Sequence, residues 1–261
     1  MDILDKIAAH KRVEVKDRKE RFPVKELQKS FYFEKTPVSF YLALKRPEPA
    51  IIGEFKRKSP SKGEINSKPD LEHIVTGYQA AGIAAISILT DNEFFGGKND
   101  DLSIAARKSI IPVLRKDFII DEYQVIESKS IGASAILLIG SILTKEESVR
   151  LTRLAKSLEM EVLFEIHDLK DLEKMDESVS ITGVNNRNLR TFEINMKNST
   201  ELLSSLPQHC IKVAESGFQT VNDVLEMHQI GFNAFLIGER FMKEDDPGKS
   251  ASEFISGLKN I

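Results

Sequence analysis

From residue 50 onward, short apolar runs alternate with amphipathic stretches to the end of the chain. Eight runs stand out: Ile51–Lys56, Ala84–Leu89, Ile111–Lys116, Ala135–Gly140, Glu161–Glu165, Ile181–Asn185, Ile211–Glu215 and Ala234–Gly238. Each has the length of a buried strand, and each precedes a stretch whose apolar positions recur at helical spacing. That spacing predicts helices over Asp70–Ala81, Ser103–Lys108, Glu122–Ser130, Lys145–Leu158, Leu169–Met175, Ser199–Ser204, Thr220–Gln229 and Gly248–Leu258. The side-chain oxygens of Asp70, Thr144, Asp168 and Thr220 can cap the free N–H groups of a first helical turn. Gly82, Gly132 and Gly231 stand where helices end, a position that tolerates positive φ. Strand-helix alternation implies a parallel sheet, and eight units favour closure. The fold class is α/β: a (β/α)8 TIM barrel with an N-terminal helical extension. No early G-x-G-x-x-G turn supports a doubly wound dinucleotide-binding sheet.

Residues 1–48 depart from the repeat. Ile3, Leu4, Ile7 and Ala8 recur at helical spacing among many charges, predicting one helix over about 2–20. A second is expected around Val24–Ser30 and a short third over Ser39–Leu44, punctuated by Pro23, Pro37, Pro47 and Pro49. Phe22, Phe31, Tyr32, Phe33, Phe40 and Tyr41 call for burial, so the segment is expected to pack on the barrel, not trail as a basic arm. The expected organisation is one barrel domain over 1–261, with 1–48 as its extension.

Composition narrows the class. The 261 residues match the ~250 typical of a single barrel domain. A net charge of −3 gives no field that would steer the chain to nucleic acid or to a membrane surface. No apolar stretch reaches the ~18–20 residues that span a bilayer, and charges interrupt the opening segment too often for a signal peptide. Cys210 is the only cysteine; no intrachain disulfide can form, a cytoplasmic location fits, and the thiol is expected to pack as a small buried apolar group. The five histidines are scattered without an H-x-x-x-H pair, so no metal is expected, and neither a G-x-x-x-x-G-K-[ST] loop nor a G-x-S-x-G turn is present.

Charged residues cluster at the C-terminal ends of several runs, where such a barrel carries its active site. Glu54 and Lys56 are two apart on the first run and point the same way, into the barrel if Ile52 does. Buried there, they need each other or a substrate, a solvated charged loop being the alternative. Lys116 ends the third run. Beside other cations its pKa would be depressed, fitting it as a general acid; pairing with Asp117 or Glu54 is the alternative. Glu165 follows Val162-Leu163-Phe164, apolar surroundings that favour a raised pKa and a role as base, an ion pair with a lysine being the alternative. In Gly183-Val184-Asn185-Asn186-Arg187-Asn188-Leu189, amide and guanidinium groups can orient a polar substrate, and Arg187 can bind a carboxylate through two hydrogen bonds, an asparagine-rich turn being the alternative. Ala214-Glu215-Ser216-Gly217 and Leu236-Ile237-Gly238-Glu239 close the seventh and eighth runs, where backbone N–H groups freed by glycine can cradle a phosphate. Glu239 is expected to contribute its backbone and turn its side chain away.

With these residues in place, the chain resembles the indole-3-glycerol-phosphate synthase family. The resemblance is carried by Glu54-Phe55-Lys56-Arg57-Lys58-Ser59-Pro60-Ser61, Ser87-Ile88-Leu89-Thr90, Phe94-Phe95-Gly96-Gly97, Leu114-Arg115-Lys116-Asp117-Phe118-Ile119, Glu165 and the three later segments just named, in order over nearly the whole chain. It implies a lyase of tryptophan biosynthesis that closes the ring of 1-(2-carboxyphenylamino)-1-deoxyribulose 5-phosphate and releases CO2 and water, without a cofactor. It also implies site roles. Lys116 matches the general acid and Glu165 the base; Lys56 and Glu54 match residues that bind substrate and relay protons. Asn185 matches a positioning residue and Arg187 a carboxylate-binding one. Ser59 holds substrate, Glu215 and Ser216 complete the rim, Gly217 and Gly238 match the phosphate site, and Phe95 and Phe118 match apolar walls around the anthranilate ring. The family often has serine where this chain has Glu239, which removes one side-chain phosphate contact.

Two other readings fit these residues less well. A phosphoribosylanthranilate isomerase would need a cysteine and an aspartate as its acid–base pair, whereas the first run offers Glu54 and Lys56, and Cys210 sits at the wrong end of the seventh. A non-catalytic phosphate-ligand-binding barrel would keep the glycines and lose the acid–base groups, all of which are present. The expected partner is a small phosphorylated substrate, with no nucleic acid and no membrane, and the chain is expected to act as a monomer.

Overall fold

The structure is a computed structural model that describes residues 3–66, 69–188 and 192–259. Eight parallel strands close a barrel: β1 (Ala50–Phe55), β2 (Ala85–Leu89), β3 (Val113–Lys116), β4 (Ala135–Ile139), β5 (Glu161–Ile166), β6 (Ile181–Asn185), β7 (Ile211–Glu215) and β8 (Ala234–Ile237). Each pairs with its sequence neighbour, and β8 returns to β1 with Ile51 opposite Phe235. Inward-facing Ile52, Leu114, Leu163, Val213 and Leu236 fill the interior, while outward-facing Ile51, Ile88, Ile136, Phe164 and Phe235 join the layer beneath the helices. That alternation is what the two-residue period of a strand requires. The third strand is shorter than its apolar run because Pro112 precedes it without an N–H to donate.

The helices after the strands are α4 (Leu71–Ala81), α5 (Asn92–Phe95) and α6 (Asn99–Lys108), α7 (Glu122–Ser130), α8 (Lys145–Ser157), α9 (Leu169–Leu172), α10 (Met196–Leu202), α11 (Val221–Gln229), α12 (Glu239–Met242) and α13 (Pro247–Lys259). The four predicted caps are formed: Asp70, Thr144, Asp168 and Thr220 each accept a first-turn N–H, the two threonines within full capping boxes. Gly82, Gly132 and Gly231 all have positive φ. α6 begins four residues earlier than its apolar pattern because its first turn is acidic, and buried Asp101 there pairs with Arg57. α9 is a single turn, and α10 starts at the Asn195 cap instead of at Ser199. The short α5 and α12, and a hairpin pairing Lys58–Ser59 with Gly63–Glu64, escaped the periodicity because each is under two turns or two residues long.

The N-terminal residues form α1 (Ile3–Arg21), α2 (Val24–Leu27) and α3 (Phe40–Leu44), the second ending three residues short of Ser30. α3 lies at the N-terminal ends of the strands, where Ser39 Oγ and the Tyr41 N–H both donate to the carboxylate of Glu161, the first residue of β5. α1 reaches the opposite end, against the segments that follow β2 and β3. Phe40 is fully buried, but Phe22 and Phe31 are 50% and 71% exposed, so the aromatic residues do not share one fate. Cys210 is buried, its thiol donating to the Val179 carbonyl.

Candidate active site

The strand period carries the core outward into the site. Two residues beyond inward-facing Ile52, Leu114, Leu163 and Val213 come Glu54, Lys116, Glu165 and Glu215, and Asn185 ends β6 beside them. A cleft of about 580 Å³ opens above these groups, lined among others by Glu54, Lys56, Lys116, Asn185, Arg187 and Glu215. The expectation that Glu54 and Lys56 face the same way is met: their carboxylate and ammonium lie 2.7 Å apart.

Lys116 is the centre of charge. Its Nζ stands 3.9 Å from Glu54 and 3.8 Å from Glu215. Burial works against the ammonium, yet Glu215, Glu165 and Glu54 together outweigh it and hold its pKa above the ordinary lysine value. The expected depression is therefore overturned: the nearest groups are carboxylates, not cations, and Asp117 faces elsewhere, toward Lys11 and Arg115. Burial also opposes the charge of Glu54, but Lys56 and Lys116 pull its carboxyl below the usual range. Glu215 shifts the other way. Burial and the neighbouring Glu165 push it well above an ordinary carboxyl, against the pull of Lys116. Two carboxyl groups so placed tend to retain one proton between them. Glu165 lies beneath the cleft surface, accepting from the Asn185 amide at 3.2 Å, with the His167 ring 3.7 Å away.

The far end of the cleft is built from backbone turns. Ser216 and Gly217 both have positive φ, 66° and 97°. A Cβ on Gly217 would stand 2.7 Å from Met196 Sδ, so only glycine lets the chain pass there. Gly238 precedes the single turn α12, with Ser59 on the facing wall. Glu239 does not turn away. Its carboxylate forms part of the cleft wall, 3.8 Å from both Arg187 and Lys62, because the α12 turn brings it across from the β1 loop. Arg187 also donates to Ser61 Oγ at 3.2 Å and to the Phe192 carbonyl at 3.3 Å.

Phe95 lines the cleft, and Phe118 stands against it with ring centroids 6.1 Å apart. Sequence reasoning missed Lys62, Phe192, Ile194 and Phe218, which also line it. Phe192, Ile194 and Phe218 lie in loops with no period to read; for Lys62, the density of charge in the first loop was the one available signal. Leu189, part of the sixth-strand motif, lies outside the described residues. Among the described residues no group of three or more His, Cys, Asp or Glu side chains is arranged to hold a metal ion, and no helix is long and apolar enough to cross a membrane.

Similarity to known proteins agrees with this geometry. Residues 4–254 match the model of a family described as indole-3-glycerol phosphate synthase. The chain is 42% identical over 258 residues to the indole-3-glycerol phosphate synthase of Bacteroides thetaiotaomicron, covering 99% of both chains. It is 41% identical over 257 residues to that of Polaromonas naphthalenivorans, covering 97% of this chain and 98% of the relative. Among solved structures, 3-hexulose-6-phosphate synthase from Salmonella typhimurium superposes with a TM-score of 0.61 at 12% identity, over 81% of this chain and 99% of that one. A mutant tryptophan synthase alpha-subunit from Pyrococcus furiosus gives 0.61 at 14% identity, over 82% and 99%. These two share the barrel alone, whereas the family match and the relatives cover nearly the whole chain. This chain belongs to the indole-3-glycerol phosphate synthase family.

Proposed function

We propose that the cleft converts 1-(2-carboxyphenylamino)-1-deoxyribulose 5-phosphate into indole-3-glycerol phosphate, CO2 and water. The carrying observation is the ring of Glu54, Glu165 and Glu215 around one half-buried lysine at the strand ends, a constellation with both proton donors and acceptors.

The chemistry needs each. The ring carbon bearing the carboxylate attacks the ribulose carbonyl, whose oxygen takes a proton as the C–C bond forms. Lys116, kept charged by Glu54 and by the Glu165–Glu215 pair, is the donor the geometry favours. Loss of CO2 restores one electron pair to the ring system. The new hydroxyl then leaves as water with a second proton, and a base removes a ring proton to complete the indole. Glu165 is assigned as that base. Lys56, paired to Glu54, is the second ammonium within reach, and Glu215, held toward its neutral form, keeps a further proton at the rim. Asn185 positions Glu165 and Arg187 is offered to the substrate carboxylate. Ser59 is assigned to holding the substrate, Ser216 to the catalytic rim beside Glu215, and the backbone around Gly217, Gly238 and Glu239 to the phosphate. Phe95, backed by Phe118, provides the wall for the aromatic ring. The enzyme is taken to work without a cofactor, as a monomer in the cytoplasm, a placement with which a free buried thiol is compatible.

The test is fluorescence of the indole product from wild type and Lys116→Ala. The chain has no tryptophan, so the protein background is low. Product from wild type, with kcat lowered by about 100-fold or more in a folded Lys116→Ala, is expected. A folded wild type that makes none overturns the reading.

A further inference from the structure

Behind the aromatic wall lies a buried cation that this chemistry does not use. Lys11, on α1, is 1% exposed. Its Nζ is 2.8 Å from Asp91 and 3.0 Å from Asp117, two carboxylates on the segments that follow β2 and β3, and 2.8 Å from Glu14 on its own helix. Each of the two distant carboxylates holds one side of the wall. Asp91 caps α5 by accepting the Phe94 N–H at 2.7 Å, and α5 ends at Phe95. Asp117 accepts the Phe118 N–H at 2.8 Å through the same oxygen that faces Lys11, and it directly follows Lys116. His10, next to Lys11, meets the Phe94 ring edge-on at 5.7 Å. One ammonium thus ties together the anchors of Phe95 and Phe118.

We infer that Lys11 of the N-terminal helix is a positioning residue, which sets the spacing of the Phe95–Phe118 wall and so the grip on the substrate's aromatic ring. This rests on the active-site reading above. Without the ammonium, Asp91 and Asp117 become two facing buried carboxylates, and their repulsion moves the two loops apart. Asp117 keeps Arg115 and Thr90 as partners, so β3 itself stays held. The wall is therefore loosened more than Lys116 is moved.

The experiment is steady-state kinetics with the carboxyphenylamino deoxyribulose phosphate on four proteins: wild type, Lys11→Met, Arg18→Met and Lys11→Met/Asp91→Asn. Arg18 ties the same helix to Glu127 without touching either aspartate, so Arg18→Met loosens α1 while leaving the Lys11 contacts in place. Lys11→Met is expected to raise KM about tenfold or more with a smaller change in kcat, and Arg18→Met to keep the wild-type KM. The double variant removes one of the facing charges while asparagine still caps α5, and it is expected to recover most of the lost KM. A wild-type KM in Lys11→Met, equal KM changes in Lys11→Met and Arg18→Met, or a double variant as impaired as the single one overturns the inference. Should Lys11→Met not fold, Lys11→Gln takes its place. It keeps a polar head of similar reach but no charge between the two aspartates, so the same rise in KM is expected and a wild-type KM overturns the proposal. Wild-type turnover is read separately, so failure of the active-site reading shows as no product in any of the proteins.

Discussion

Among individual residues, Glu239 is the one whose position most changes the account of the site. Its carboxylate occupies the wall between Arg187 and Lys62, the two cations that an anionic substrate would meet there. It acts as a counter-ion to both, with which an anionic substrate must compete. Glu239→Gln is therefore expected to lower KM about two- to fivefold with kcat unchanged, since partly exposed pairs at this distance are worth at most ~1 kcal/mol. An unchanged or raised KM in steady-state assays counts against that role. The charge of Lys116 teaches a related point. That it ends the third strand and faces inward could be read from the sequence. The sign of its pKa shift could not, because it depends on Glu165 and Glu215, 49 and 99 positions further along the chain. Lys11 was less legible still: in the sequence it is one charge among many on a helix, and only packing shows it fully enclosed.

For the elements, legibility followed period and length. The strands, the long helices and four N-caps were readable because each rests on local chemistry: an apolar run, a 3.6-residue stripe, or a Thr or Asp oxygen at a first turn. The one-turn helices α5 and α12 and the loop carrying Phe192 were not, since tertiary contacts hold them and no period marks them. Gly53 shows how tightly elements are matched. It lies on β1 one residue before Glu54, and a Cβ there would stand 2.7 Å from the Tyr78 ring of α4. Gly53→Ala must push that buried ring, or the strand carrying Glu54, aside. A stability loss of about 1–3 kcal/mol is expected from urea unfolding, with kcat falling as Glu54 shifts. A variant as stable and active as wild type would show that α4 yields freely.

Across the whole molecule, buried charge ties stability to pH. Burial opposes the ionised forms of Glu54, Asp117 and Glu127, but their cationic partners outweigh it and hold all three carboxyls below their ordinary range. The unfolded chain would protonate them first as pH falls, so their contribution is full above the ordinary carboxyl pKa and is lost as pH drops through the lowered values. Glu215, raised instead, works in the opposite sense and weakens the fold as pH climbs above that same ordinary value. With three groups against one, urea midpoints are expected to fall steeply below about pH 4.5. A midpoint flat from pH 6 to pH 3 would show that these pairs do not stabilise the fold.

The seam that closes the barrel has a consequence in time. β8 pairs with β1, and α13 lies on α4 so closely that a Cβ on Gly77 would stand 2.7 Å from Gly248 Cα. The joined segments are separated by most of the barrel's length, so the ring stays open during synthesis until β8 and α13 have left the ribosome. Until then β1 keeps a bare edge, and Glu54 waits with only part of its eventual surroundings. Competence therefore arrives in one late event, when β8 and α13 return to β1 and α4.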